Sequence, residues 1–288
     1  MKFLSLLSLS FMAISSLAMP VKEKSHFVSG KFFDRVVIVI FENIDYADAH
    51  KNPYFSSLAD KHNGVELTNF TALTHPSQPN YIGLISGSTE GCIDDELVNL
   101  DRDTIVDLLE KKHVSWKSYQ QGFPGDCALD MTHGKYARKH NPFISFKNIQ
   151  TNPDRCAKIV NADELTEDIK NDTVPQFVFF TPDMDNDGHD TNLTAAANWF
   201  ESFIEPLMKE KTLTKNTMFV STFDEAEHYT NVPNGIQTVL FGPDFKRKSD
   251  AKSDDKPYNL YSILRTVEDN WDLGTLNLVD RIATPLDL

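Results

Sequence analysis

The feature that most constrains the fold of this chain is the alternation of short apolar runs with helix-like segments from Val36 onward. The run 36–41 is apolar and rich in β-branched residues, which is typical of a strand buried on both faces of a sheet. Strands that alternate with helices form a parallel or mixed sheet with helices packed on it. The sequence therefore predicts an α/β fold with a mixed, mostly parallel sheet flanked by helices.

The boundaries of the predicted elements come from hydrophobic periodicity and from capping residues. The predicted helices cover 53–62, 78–86, 104–112 and 163–170, and the remaining predicted strands cover 114–119, 176–181, 218–223 and 238–241.

A further helical segment carries aromatic residues on one face. Trp199, Phe203 and Leu207 recur every four residues, with Phe200 beside them, so we expect this face to pack in the core. Pro206 predicts a kink or an early end of that helix. The run 245–256, rich in Lys, Asp and Ser, is expected to be a solvated loop.

The amino-terminal residues have the pattern of a secretory signal peptide. A lysine, an apolar run and small residues follow one another over residues 1–18, and no later segment is long and apolar enough to cross a bilayer. We expect a signal peptide at 1–18, one domain over 19–288, and secretion, with retention at a cell wall as an alternative. Three glycosylation sequons agree with that route, at Asn69, Asn171 and Asn192.

The three cysteines of the chain allow one disulfide in an oxidising compartment. A polar, loop-like stretch with Gly, Pro and Asn separates Cys127 from Cys156 and could bring these two together. We therefore predict the pair Cys127–Cys156, while a bridge through Cys92 stays an alternative.

The formal net charge of −14 argues against binding to nucleic acid. An acidic chain repels polyanions, and no basic stripe with interleaved aromatic residues offsets this charge. Acidity of this degree is otherwise explained by solubility outside the cell.

Two of the predicted strands end at adjacent oxygen-bearing side chains. The first is followed by Glu42 and Asn43, and a later one by Asp224 and Glu225. Ligand sites in open α/β sheets lie beyond the carboxyl ends of the strands. Several carboxylates in one cleft repel one another unless a divalent cation neutralises them. The alternative is that these residues cap the following helices or turns.

The segment 74–81 places a serine at the start of a predicted helix. Pro76 and Pro79 stiffen the loop around Ser77, and the helix start offers unpaired N–H groups to a phosphate. The Gly-x-Ser-x-Gly pattern of acyl-transferring serines is absent, so a metal would be needed to activate the hydroxyl. An ordinary N-cap serine is the alternative. Asn80 lies in the same segment.

The acidic segment 181–190 follows another predicted strand. Its density of acidic residues and Gly188 suit a cation loop, but the ligand spacing of an EF-hand is absent. His189 could bind a metal, contact a phosphoryl oxygen or protonate a leaving group, although a lone histidine is more often a surface residue. His228 is similarly placed after a later strand.

Four motifs together carry a resemblance to a known family. They are Glu42-Asn43, HPSQPNY around Ser77, PDMDNDGHD, and FDEAEH at the end of the later strand. In this order they resemble the phosphoesterase family of fungal acid phosphatases and bacterial phospholipases C, within the alkaline phosphatase superfamily. The resemblance implies an alkaline-phosphatase-like single domain.

The resemblance also implies a set of site residues. One divalent metal would be held by Glu42, Asn43, Asp224 and Glu225, with Ser77 bridging to it as the nucleophile. Relatives have two aspartates where this chain has Asp224-Glu225. His189 would contact the phosphoryl group or assist the departing alcohol, and further candidates for substrate binding are Asn80, Asp187 and His228. The spacing of Asp185 and His189 is reminiscent of the second metal site of alkaline phosphatases.

The function expected from these residues is that of a secreted, metal-dependent acid phosphatase. It would hydrolyse small phosphate monoesters through a phosphoserine intermediate. The alternatives are a phospholipase C-type phosphodiesterase, whose larger members carry additional domains, and an inactive secreted or cell-wall binding protein. The oxygen ligands favour calcium, magnesium or manganese, while a nearby histidine leaves zinc and iron open. The sequence carries no signal for the oligomeric state.

Overall fold

The structure is a computed structural model that describes residues 27–230 and 232–288. The predicted signal peptide at 1–18 therefore lies outside the described residues, as do the first residues of the predicted domain. The extent of that domain over 19–288 stays a prediction.

Twelve strands are present in the described ranges, and eight of them form the main sheet. Their bounds are β1 Arg35–Phe41, β2 Val65–Leu67, β3 Phe70–Thr71, β4 Trp116–Gln120, β5 Thr132–His133, β6 Tyr136–Ala137, β7 Ile159–Asn161, β8 Phe177–Thr181, β9 Thr217–Phe223, β10 Thr238–Phe241, β11 Ser253–Asp254 and β12 Tyr258–Asn259. The order of the main sheet is β11-β2-β10-β9-β1-β8-β4-β7, and only β10 runs antiparallel to its neighbours. The predicted mixed, mostly parallel sheet is confirmed.

Ten α-helices occur in the described ranges. Their bounds are α1 Tyr46–Lys51, α2 Leu58–Lys61, α3 Ser77–Ser86, α4 Ile105–Lys111, α5 Lys147–Gln150, α6 Pro153–Cys156, α7 Glu164–Asn171, α8 Leu193–Leu207, α9 Lys211–Thr214 and α10 Leu260–Asn270. None of these helices is both long and apolar enough to cross a membrane.

The predicted helix at 53–62 is divided in two. A 3-10 turn at Phe55–Ser57 precedes the short α2. The side chain of Asn52 accepts hydrogen bonds from the N–H groups of Tyr54 and Phe55, at 3.0 and 3.2 Å. These bonds favour a 3-10 turn, which is wound more tightly than an α-helix, at the start of the segment.

The aromatic face of α8 packs in the core as predicted. Phe200 is fully buried, and its ring contacts Phe41 and Phe55 at centroid distances of 4.9 and 5.7 Å. Trp199 and Phe203 are only partly buried, so the centre of the buried face lies closer to Phe200 than the spacing suggested. The helix ends one residue after its proline.

The register of the central strands determines where the site lies. β1 lies between β8 and β9, and Phe41 at its end is opposite Phe223 at the end of β9. The residues that follow these two strands therefore begin side by side.

Candidate functional site

The carboxyl ends of β1 and β9 bring four predicted ligand residues together. Glu42 and Asp224 are fully buried. The Oδ1 atom of Asp224 accepts hydrogen bonds from the N–H groups of Asn43, at 3.1 Å, and Glu225, at 2.7 Å. Asn43 has a positive φ of 45°, a conformation that asparagine adopts more readily than most residues. The two strand ends thus form one acidic cluster.

Ser77 lies at the first position of α3 and faces this cluster. Its hydroxyl group is buried and lies 3.0 Å from Glu42 Oε2 and 3.1 Å from Glu225 Oε1. A hydroxyl has one proton, so it can donate to only one of these carboxylates at a time. The serine and both strand ends therefore belong to one site.

Asn80 holds the loop that presents the serine. Its Oδ1 atom accepts hydrogen bonds from the N–H groups of Leu73 and Thr74, and its amide group donates to the carbonyls of Thr74 and Pro76. These contacts use both donors and both lone pairs of the side chain. The structure thus gives Asn80 a positioning role, and its contact with substrate stays a prediction.

His140 and Tyr81 are site residues that the sequence analysis missed. His140 is buried, with Nε2 at 3.0 Å from Glu42 Oε1 and Nδ1 at 3.3 Å from Asp187 Oδ2. Tyr81 donates a hydrogen bond of 2.5 Å to the same Glu42 oxygen and stacks on His140. Glu42, His140 and Asp187 each offer a ligand atom within 4.8 Å of the others, so this group could hold a metal ion.

A sequence signal for His140 exists but is weak. The histidine follows Arg138 and Lys139, but similar basic runs occur at 111–113 and 246–248, so the run alone does not single it out. It lies in a 3-10 turn at Arg138–His140 and not after a strand of the main sheet, so no periodic pattern places it at the site.

The ionisation of each buried group depends on the charges of its neighbours. Burial raises the pKa of Asp224, and the charges of Glu42 and Glu225 raise it further. Burial and the charge of Glu42 raise the pKa of Glu225 to about 8. Burial also opposes ionisation of Glu42, but the neighbouring His140 outweighs it and lowers the pKa of Glu42 to about 2. Glu42 is therefore ionised and paired with His140, whereas a cation would stabilise the ionised forms of Asp224 and Glu225.

His140 titrates in the opposite sense. Burial lowers its pKa, but the carboxylates of Glu42 and Asp187 outweigh this and raise it to about 9. The imidazolium form thus compensates part of the negative charge.

The mouth of the site contains the predicted His189 and a lysine that the sequence analysis missed. His189 is 29% exposed, with Nδ1 at 2.9 Å from Asp190 Oδ1. Its Nε2 atom lies 3.4 Å from the ammonium group of Lys139, which also pairs with Asp95 at 3.0 Å. On the other side, His75 pairs with Glu225.

Two other predicted residues pair with groups outside the cluster. His228 is 61% exposed and pairs with Asp45 at 2.7 Å. Asp185 pairs with Lys135 at 2.7 Å, and within the described ranges it belongs to no group of three or more potential metal ligands with His189. Substrate binding by His228 and a second metal stay predictions.

The predicted disulfide is present. Cys127 and Cys156 form it, with their Cα atoms 5.3 Å apart, and Cys92 is a buried free cysteine. The three sequon asparagines are exposed, at Asn69, Asn171 and Asn192.

The fold and the position of the cluster define a class of protein. A protein of the alkaline phosphatase superfamily from Vibrio parahaemolyticus has a similar structure, with a TM-score of 0.58 and 11% identity over 90% of this chain and 71% of that chain. This chain therefore has the fold of that superfamily, with its acidic cluster where open α/β sheets bind ligands.

The profile of the Phosphoesterase family matches residues 42–274, and the chain belongs to this family. It is 37% identical to a probable acid phosphatase from Kluyveromyces lactis, over 98% of this chain and 68% of that protein. It is 36% identical to a phosphate-repressible acid phosphatase from Penicillium chrysogenum, over 93% and 66% of the two chains. The chain spans about two thirds of the length of these relatives. The resemblance seen in the motifs is confirmed, and it classes the chain with the phosphoric ester hydrolases.

Proposed function

We propose that this chain is a metal-dependent acid phosphatase that hydrolyses phosphate monoesters with Ser77 as the nucleophile. One observation carries the proposal: a buried hydroxyl at a helix start lies within 3.1 Å of carboxylates from two adjacent strand ends. The names of the fungal relatives support the choice of a phosphatase.

The residues of the cluster fit a divalent metal. The Oδ1 atom of Asn43 and the Oδ2 atom of Asp224 are buried and have no hydrogen-bond partner in the described part of the chain. Oxygen donors that lack partners at a buried site are the ligands that a hard cation requires. The proposed ligands are Glu42, Asn43, Asp224, Glu225 and Ser77. Such an ion supplies positive charge that acidifies a hydroxyl group and stabilises phosphoryl oxygens.

The chain's own residues account for the transfer steps. The Ser77 oxygen attacks phosphorus in line, and its proton passes to an adjacent carboxylate as the bond to the alcohol breaks. His189, at the mouth, donates a proton to the departing alkoxide. Water then attacks the phosphoserine and gives a proton to His189, while the carboxylate returns its proton to the serine oxygen as the bond to phosphorus breaks and inorganic phosphate leaves.

Substitution of the nucleophile tests the proposal. Ser77→Ala should abolish release of p-nitrophenol from p-nitrophenyl phosphate while the circular dichroism spectrum stays unchanged. The matched control is Ser86→Ala, a buried serine at the other end of α3 that bonds to the Ile82 carbonyl, and it should keep most of the turnover. Near-normal turnover by Ser77→Ala would contradict the proposed nucleophile.

The preference for monoesters is tested with a matched pair of substrates. Bis-p-nitrophenyl phosphate offers the same leaving group in a diester, and we expect the monoester to be hydrolysed much faster. Faster hydrolysis of the diester, together with release of phosphocholine from lecithin, would favour the phospholipase C alternative.

Secretion and glycosylation belong to the same proposal. The exposure of the three sequon asparagines is compatible with carbohydrate at each. Protein collected from the medium should decrease in mass on treatment with an endoglycosidase, whereas retention inside the cell without glycan would contradict this part.

A further inference from the structure

Lys139 is a basic residue whose place at the site has no role in the chemistry described above. Its side chain is 19% exposed, and its charge lowers the pKa of both Glu42 and Glu225. The preceding residue, Arg138, turns away and donates to the carbonyls of Leu129 and Val98, at 2.7 and 3.1 Å. Of these two adjacent bases, only the lysine faces the acidic cluster.

Asp95 connects this lysine to the start of α3. One carboxylate oxygen of Asp95 lies 3.0 Å from the Lys139 ammonium group, and the other accepts a hydrogen bond of 2.9 Å from the N–H of Gln78. Gln78 follows the proposed nucleophile directly. The negative charge of Asp95 also raises the pKa of Glu225, so Asp95 influences the acidic cluster electrostatically.

His189 completes the surroundings of the ammonium group. Its Nδ1 atom is paired with Asp190, and its Nε2 atom lies 3.4 Å from the Lys139 ammonium group. Once His189 has given its Nε2 proton to the departing alcohol, this nitrogen accepts a hydrogen bond from Lys139. The lysine is thus held between a carboxylate and an imidazole. It keeps a third N–H for a ligand that enters the mouth.

The charge balance of the site indicates what this ligand is. Glu42, Asp224 and Glu225 repel a phosphate ester, so affinity for it requires fixed positive charge beside the metal position. The charge of Lys139 acts on Glu42 and Glu225, the two carboxylates that lie beside the Ser77 hydroxyl group, so its ammonium group is placed to attract a phosphoryl oxygen there. Asp95 already neutralises part of this charge.

We propose that Lys139 contacts the phosphoryl oxygens of the bound ester and of product phosphate, and that Asp95 competes with them for its ammonium group. The two residues then set the affinity for phosphate in opposite directions. This inference rests on the proposed phosphatase function.

The test measures inhibition of the metal-loaded full chain by inorganic phosphate, with p-nitrophenyl phosphate as substrate. Lys139→Gln should raise the inhibition constant at least about tenfold, because a charge-assisted hydrogen bond is lost. Asp95→Asn should lower it severalfold, because the amide oxygen still accepts from Gln78 while the competing charge is gone. Lys139→Arg should recover part of the affinity.

A second ion pair provides matched controls. Lys112 and Asp272 are 3.2 Å apart, and Lys112 follows α4 before β4 begins, at the end of the sheet opposite the site. Lys112→Gln and Asp272→Asn make the same charge changes and should leave phosphate inhibition unchanged. An unchanged inhibition constant in Lys139→Gln would overturn the inference, as would weaker binding in Asp95→Asn, which indicates a purely structural role. If Ser77→Ala still abolishes turnover, that failure leaves the proposed function intact.

Discussion

At the scale of single residues, Glu42 is the most constrained side chain of the site. One of its oxygens accepts a hydrogen bond from Tyr81 and pairs with His140, and the other faces Ser77. These partners hold the carboxylate in one orientation. Groups that orient a metal ligand are usually worth a large factor in metal affinity.

We predict that Tyr81→Phe weakens binding of the activating divalent ion by about 10- to 100-fold. The ring and its stacking on His140 remain, so the fold should be retained. The measurement is the metal concentration that restores half-maximal activity after treatment with a chelator.

Tyr258→Phe is the matched control for this change. Its hydroxyl group donates to Asp254 at 2.9 Å, beside β11 at the edge of the main sheet, and its removal should not alter the metal requirement. Equal metal affinity in Tyr81→Phe and the native chain would show that this hydrogen bond does not position Glu42.

At the scale of elements, the site depends on a long segment outside the main sheet. Residues 127–156 contain Lys139 and His140 in a 3-10 turn, and the disulfide closes this segment at its two ends. A cross-link of this kind reduces the freedom of the unfolded chain. The disulfide therefore restricts the segment that carries Lys139 and His140 to the site.

We predict that the double change Cys127→Ser and Cys156→Ser lowers the free energy of unfolding by about 2–4 kcal/mol. Denaturation by urea, followed by tryptophan fluorescence, measures the loss. Dithiothreitol should destabilise the native chain and leave the double variant unaffected. A variant as stable as the native chain would contradict a stabilising role for the cross-link.

At the scale of the whole molecule, a buried acid far along the chain from the proposed ligands links folding to pH. Glu268 in α10 is 1% exposed, beside the carboxylate of Asp280, which accepts hydrogen bonds from two backbone N–H groups. Burial and this neighbouring charge raise the pKa of Glu268 to about 9, with Arg265 opposing the shift and Asp269 adding to it. The folded chain therefore holds a proton that the unfolded chain releases at lower pH.

The sign of the pH dependence follows from this difference. Stability from Glu268 is fully present below its ordinary pKa of 4.5 and is lost as the pH rises towards about 9. The loss has an upper limit of about 1.4 kcal/mol per pH unit. We predict that Glu268→Gln removes this dependence, so that the variant exceeds the native chain in stability at pH 8 but not at pH 5.

Urea denaturation of both proteins across this pH range, with the metal present throughout, measures the effect. The difference between the two curves isolates Glu268 from the site carboxylates, which are the same in both proteins. Parallel curves would show that Glu268 does not hold the proton.

The amino-acid sequence by itself determined the class of fold and the two strand ends of the site. Uninterrupted apolar runs identify buried strands, and polar residues directly after them identify ligand positions at the carboxyl edge. Glu42 and Asp224 were predicted for this reason, and Ser77 was predicted from its place at the start of a helix; the structure places the three together. Local patterns suffice here because each residue lies next to the element that positions it.

Only the tertiary structure decided which residues surround that cluster. His140 and Lys139 lie in a short 3-10 turn and Asp95 lies in a loop, none of them in a periodic pattern. They approach the cluster through contacts between segments far apart in the chain. The tertiary structure also placed His228 at the surface, where it pairs with Asp45. Side-chain direction in a loop depends on packing and charge pairing with distant segments, which adjacent residues do not encode.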